Sequence, residues 1–199
     1  MSRPRTDHDE RRMVIALAAA HVIASRGLDR LTLRELAAEL GVTTGVLTHY
    51  FPSKDALIAH TKELVFDLRF ERVRQAAQGP PGLERLHAVI TELLPLDDER
   101  RTEWRTLVAF QGSAVGSAAL RRAHDTRMRR WFTLFADVVS DAGLAEAGED
   151  AKQLAMALVL FVEGVAIHFA MMEPPAKADW QQRFVRQQVD RFVQPQALV

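Results

Sequence analysis

The 199-residue chain contains no cysteine. Disulfides and thiolate metal sites are therefore excluded, and the composition suits a reducing compartment. Net charge is absent too. Twenty-six lysines and arginines balance 26 aspartates and glutamates, so the overall charge selects no partner. No P-loop, G-x-G-x-x-G or G-x-S-x-G sequence occurs. No two of the seven histidines lie three or four residues apart, so no helical metal pair can form. Ser113, His124 and Asp125 have the residue types of a hydrolytic triad, but His124 and Asp125 are sequence neighbours that would point apart on a helix. The expectation is a protein that is not an enzyme and needs no metal and no cofactor. Its polar start, MSRPRTDHDERR, carries no secretory-leader pattern, and a cytoplasmic location is expected.

Sustained period-two alternation is also missing, so no strands are predicted and the fold class reads as all-α. Helical spacing is what the chain does have. Ile15, Ala18, Ala19, Val22 and Ile23 recur at that spacing and stop at Arg26-Gly27, a helix-end signal. Thr32-Leu33-Arg34-Glu35 has the form of a capping box and opens a helix striped by Leu33, Leu36, Ala37 and Leu40. Gly41 ends it. Thr43 can cap a second short helix that turns Leu47 and Tyr50 inward, and Ser53 can cap a long helix reaching about Ala77. GPPG at 79–82 reads as a turn or hinge.

Two short helices joined by a tight glycine turn make a helix-turn-helix. In AAELGVTTGVLTHYF, residues 37–51, Ala37 must be small where the second helix crosses, and Gly41 supplies the turn angle. Thr43, Thr44, Val46, Thr48 and His49 are left facing outward. They are short enough to let the helix enter a major groove and offer hydroxyls and methyls to phosphates and base edges. An ordinary helical hairpin with a solvated face shares the bare outline; the glycine spacing and the residues on that face favour DNA. Charge agrees in sign: residues 1–54 carry eight basic and six acidic side chains. Arg3 and Arg5 fit either a minor-groove arm or a plain basic tail.

The stretch TLRELAAELGVTTGVLTHYFPSKDALI, residues 32–58, resembles the DNA-binding signature of TetR-type transcriptional regulators, and the likeness extends over residues 10–60. AVGSAALRRAHDTRMRRWFTLFADVV and ALVLFVEGVAIHF are similar to the regulatory domain of the subgroup that includes the choline-responsive repressor BetI. The resemblance implies a homodimer with an N-terminal three-helix head, residues 1–53. It implies a helical effector-binding and dimerisation body, residues 54–199, and about nine helices in all. It also implies repression at a palindromic operator in double-stranded DNA, relieved by a small-molecule effector. Thr32 and Arg34, at the start of their helix, would meet phosphate. Thr43, Thr44, Val46 and Thr48 would lie in the groove, and His49, Tyr50 and Lys54 would contact or flank the backbone. The family pattern usually has tyrosine at the position of Thr48, so a phosphate contact there must be closer or is lost. Two alternatives stay open at this point: a helical dimer whose head has become a protein-interaction module, and an architectural DNA binder that needs no effector.

Leu154–Met172 is a 19-residue run with Glu163 and His168 as its clearly polar members. A membrane span is disfavoured by the ionisable group near its centre. A helix buried on two sides fits better, against its own body and against a partner subunit. The interface residues expected on it are Leu154, Leu158, Val165 and Met172, joined by Trp180, Phe184 and Gln188 of the last helix. Candidates for lining an effector pocket are Trp104, Phe110, Gln111, His124, Met128, Trp131, Phe135, Phe161, Glu163 and His168, each equally readable as plain core. Glu163 could face a cationic effector near Trp131, pair with an arginine such as Arg127 or Arg130, or meet solvent at the dimer edge.

Overall fold

The protein is described by a computed structural model covering residues 7–114 and 118–193. Arg3, Arg5 and the Ser113 side chain lie outside the described residues. Among the described residues there are nine α-helices, one 3₁₀ turn and no strand: α1 Asp7–Arg26, the turn Leu28–Arg30, α2 Leu33–Glu39, α3 Thr44–Tyr50, α4 Lys54–Ala76, α5 Leu83–Thr91, α6 Asp98–Ala114, α7 Ala118–Asp141, α8 Glu149–Met171 and α9 Ala178–Val193.

Local chemistry places the boundaries. α1 opens on Asp7, Asp9 and Glu10 and closes on Arg26, charges that complement the helix dipole at each end. Gly27 then takes φ 88°, a left-handed angle that costs glycine little. Gly41 does the same at φ 65°, and the following Val42 amide reaches back to the Ala37 carbonyl at 2.9 Å. The Ser53 hydroxyl accepts the Ala56 amide at 3.1 Å and so caps α4 as the sequence predicts.

The chain forms two compact units that are discontinuous in sequence. The first, the head, comprises residues 1–68 and 102–113; the second, the body, comprises residues 69–101 and 114–199. The boundary expected at 53/54 coincides with the start of α4, whereas the units divide inside α4, after Leu68. The head therefore takes the first two-thirds of α4 and most of α6. Its core joins Ile15, Ala19, Val22 and Ile23 of α1 to Leu31, Leu36, Ala37, Leu47, Phe51 and Leu57, and takes Phe110 from α6. The fully buried Thr106 hydroxyl donates to the Ala20 carbonyl at 2.9 Å, tying α6 to α1. Sequence reading missed this contribution of α6, because its partners lie some 90 residues away in the chain.

In the body α7 packs along α8, polar contacts tie α5 to α7, and others tie α9 to α5. Arg85 donates to Asp141 at the end of α7 at 2.8 Å. His87 and Asp190 meet at 2.8 Å between α5 and α9, and Arg186 of α9 pairs with Glu84. Glu92 is gripped from two sides, by Arg72 of α4 at 3.2 Å and Arg100 of α6 at 2.8 Å. α8 is the one described helix long and apolar enough to cross a membrane by length and composition. Much of its apolar surface is used internally: Ala151, Ala155, Leu158, Val159, Val162, Ala166, Phe169 and Ala170 are all buried in the body.

Candidate functional site

Two seven-residue helices and the turn between them build the head's outer face. The Thr32 hydroxyl accepts the Glu35 amide at 3.1 Å and donates to the Glu35 carboxylate at 3.0 Å. The capping box is closed through the hydroxyl, and α2 is fixed from its first residue. Thr32 and Arg34 are both exposed on this first turn.

Leu47 anchors α3 with no exposed surface, beside the buried Leu36 and Ala37 of α2. With that side turned inward, Thr44, Val46, Thr48 and His49 are all exposed, as is the capping Thr43. Tyr50 and Lys54 are partly buried. The threonines differ in what they can still offer. Thr43 accepts the Val46 amide at 3.4 Å, so its hydroxyl proton can be donated outward. Thr48 donates to the Gly45 carbonyl at 3.1 Å, so its oxygen is left to accept. That geometry does not suit Thr48 to an anionic phosphate. Val46, 38% exposed, presents methyls between them and borders a small apolar depression of about 40 Å³ with Val14 and Leu40.

The end of α3 meets the beginning of α1 in a cluster of rings that sequence reading did not anticipate. His8 lies 4.9 Å from Tyr50 and 6.2 Å from His49, and His49 lies 5.1 Å from Tyr50, centroid to centroid. Behind it the Arg12 guanidinium sits 4.7 Å over the Phe51 ring, with His60 on the same ring at 5.3 Å. Burial, and secondarily the Arg12 charge, push His60 below the usual imidazole value.

The residues expected to line an effector pocket are divided between the units. Trp104 and Phe110 are buried in the head, Phe110 within its core and beneath the Lys62 ammonium at 5.8 Å, and Gln111 is a half-buried head residue. The others belong to the body. Phe135 is fully buried, Met128 is partly buried, and Phe161 packs on Phe192 at 5.2 Å. His168, expected inside, is exposed.

Trp131 packs against a residue not singled out from sequence. The Arg69 guanidinium, only 3% exposed, lies 5.2 Å over the Trp131 ring. Phe70 meets the same ring edge-on at 5.0 Å and carries the Arg130 guanidinium at 4.2 Å. Glu163 is half-buried, and the charges of Arg69 and His124 act on its carboxyl. Burial raises its carboxyl above the usual range, and the electrostatic pull of Arg69, then of His124, only partly offsets that. A different concavity, an open groove of about 540 Å³ bordered by Phe132, Ala136, Lys152 and Met156, runs between α7 and α8 and includes none of the expected pocket residues.

The expected interface residues also divide. Leu158 is fully buried in its own subunit and cannot face another, which corrects the sequence expectation for that residue. Leu154, Val165, Met172, Phe184 and Gln188 are half-buried. Trp180 is 44% exposed and stacks on Phe184 at 5.4 Å. The large apolar side chains exposed with it are Met156, Leu160 and Met171 of α8 and Phe192 of α9.

Known proteins resemble this chain over both units. Residues 15–61 match the family described as bacterial regulatory proteins, tetR family, and residues 82–194 match the BetI-type transcriptional repressor C-terminal family. The HTH-type transcriptional regulator PksA of Bacillus subtilis is 30% identical over 170 residues, covering 84% of this chain and 82% of that protein. A transcriptional regulator from Rhodococcus sp. RHA1 superposes with a TM-score of 0.79 at 25% identity, covering 95% of this chain and 97% of the other. A transcriptional regulator from Saccharomonospora viridis, solved in complex with choline, superposes with a TM-score of 0.78 at 23% identity, covering 94% and 97%.

Proposed function

The chain belongs to the TetR family of bacterial transcriptional regulators, with a BetI-type repressor C-terminal domain, and on that premise we propose that it is a homodimeric, cytoplasmic repressor released from a palindromic operator by a small molecule. The observation that carries this reading is the exposed face of α3. The outward positions Thr43, Thr44, Val46 and Thr48 hold only short side chains, on a helix capped at its start and anchored by a fully buried leucine. Such a helix can approach base edges closely.

Thr43, Thr44, Val46 and Thr48 are the groove residues in this reading. Thr43 donates to phosphate, Val46 offers methyls to thymine, and Thr48 accepts from a base amino group. Thr32, Arg34, His49, Tyr50 and Lys54 contact the flanking backbone. Dimerisation uses the large apolar side chains exposed on α8 and α9, which a partner surface would remove from water. The effector acts on the body, and the unbroken α4 carries residues of both units, which gives a change in the body a helical route to the head. Small organic cations are one effector class to examine, since the S. viridis protein binds choline.

The test is fluorescence anisotropy with duplex DNA from upstream of the protein's own gene, at several salt concentrations, with and without a metabolite panel. Specific binding that weakens steeply with salt and is released by one compound supports the proposal. A flat salt response, or no preference over random duplex, contradicts it.

A further inference from the structure

On the reading that α3 lies in the major groove, residues beside α3 also meet DNA, and one of them comes from α1. His8, in the first turn of α1, and His49, in the last turn of α3, are both exposed, with ring centroids 6.2 Å apart. The Tyr50 ring lies against both, 4.9 Å from His8 and 5.1 Å from His49. Packing on a common ring orients the two imidazoles. Among the described residues their contacts are ring contacts, which leave ring nitrogens open to a partner outside the chain.

The charges around the pair suit an anion. Residues three and four positions along a helix share one side, and those that follow His8 in this way are Arg11 and Arg12. Arg12 lies over Phe51, directly after α3, and Arg11 borders the depression that holds Val46. Asp9 and Glu10 lie around the helix from that side, and Asp7 stands at its edge, four residues before Arg11. Of the acids on α2, Glu35 is bonded to Thr32, and Glu39 pairs with Arg26 at the far end of α1. α4 opens with Lys54 and Asp55 and brings His60 against Phe51.

We propose that His8 joins His49 in gripping one phosphate of the operator backbone, both rings as imidazolium, so that operator binding takes up protons. In the free chain two imidazolium charges this close repel each other, and a phosphate that accepts from both removes that cost. Imidazole changes charge between about pH 5 and 8, so the grip is present in acid and is lost as pH rises. Each imidazolium set against a phosphate also adds about one to the slope of log affinity against log salt. His8 is then a DNA contact supplied from outside the helix-turn-helix.

The experiment is anisotropy of the full-length protein with duplex from upstream of its own gene, at about pH 6 and about pH 8.5, each at three salt concentrations. Wild type should bind at least about tenfold more weakly at the higher pH, with a shallower salt slope. His8→Phe keeps a ring on Tyr50 but carries no proton, and it should lose part of the tightening in acid. His8→Lys stays charged at both pH values and should hold binding tight at the higher one. His60→Gln should keep the wild-type profile. The proposal is overturned, with the operator reading intact, if sequence-specific binding responds to pH equally in wild type and His8→Phe, or does not respond at all. It is overturned as well if His8→Lys binds no better than His8→Phe at the higher pH, or if His60→Gln flattens the profile. If wild type prefers this duplex over random DNA at neither pH, the operator reading falls and this proposal with it.

Discussion

Leu158 and Leu160 stand two residues apart on α8 and face in different directions: Leu158 has no exposed surface, and Leu160 is 53% exposed. One leucine belongs to the subunit's own core and the other waits for a covering surface. Leu158→Ala should cost about 2–5 kcal/mol of folding stability through the cavity it leaves. Leu160→Glu should leave folding nearly unchanged and shift the protein from dimer to monomer. Urea melts and sedimentation velocity on both variants separate these effects; a Leu160→Glu protein that stays dimeric removes this face from the interface.

Thr32 has a local duty that is independent of DNA. Its hydroxyl closes the first turn of α2, so Thr32→Ala should destabilise the head by about 1 kcal/mol. Thr32→Ser preserves the cap and should restore that stability. Thermal melts of both variants without DNA check this, and equal melting of Thr32→Ala and wild type would contradict it.

Lys54 and Val46 should fail in distinguishable ways. Lys54→Ala should weaken all duplexes alike and reduce the slope of log affinity against log salt by about one. Val46→Ala removes methyls from the groove-facing surface and should change which sequence is preferred. Binding isotherms on a small set of operator variants at three salt concentrations test both.

Glu163 supplies a pH dependence of stability. Its folded-state carboxyl titrates above the ordinary value near 4.5, so the folded chain holds the proton more tightly than the unfolded one. Stability from this group is greatest below the ordinary value and falls as pH rises through the folded one. Glu163→Gln should flatten that part of the melting-temperature profile. An unchanged slope between wild type and Glu163→Gln would contradict the burial.

The head was largely legible in sequence because its determinants are local. Thr32 with Glu35, Thr43 with Val46, and the turn at Gly41 act within five residues of one another, and each sits where the sequence places it. The body was legible only as helices. α8 has apolar residues on more than one side, so periodicity alone could not say which stripe meets its own core and which meets a partner; Leu158 was assigned to the wrong side for that reason. Arg69 and Trp131 are 62 positions apart on different helices, and a buried arginine on α4 looks no different in sequence from the solvated ones around it. The ring cluster of His8 with Tyr50 was hidden by the same separation.

The central claim is that paired α3 helices read DNA at a fixed separation. Selection of duplexes from a random pool by the purified full-length protein, followed by sequencing, tests it most directly. The account predicts an inverted repeat whose half-site centres lie about 10 base pairs apart or a multiple of that, the spacing of successive major grooves on one face. Recovery of no common sequence, or of a single half-site bound by a monomer, would contradict it.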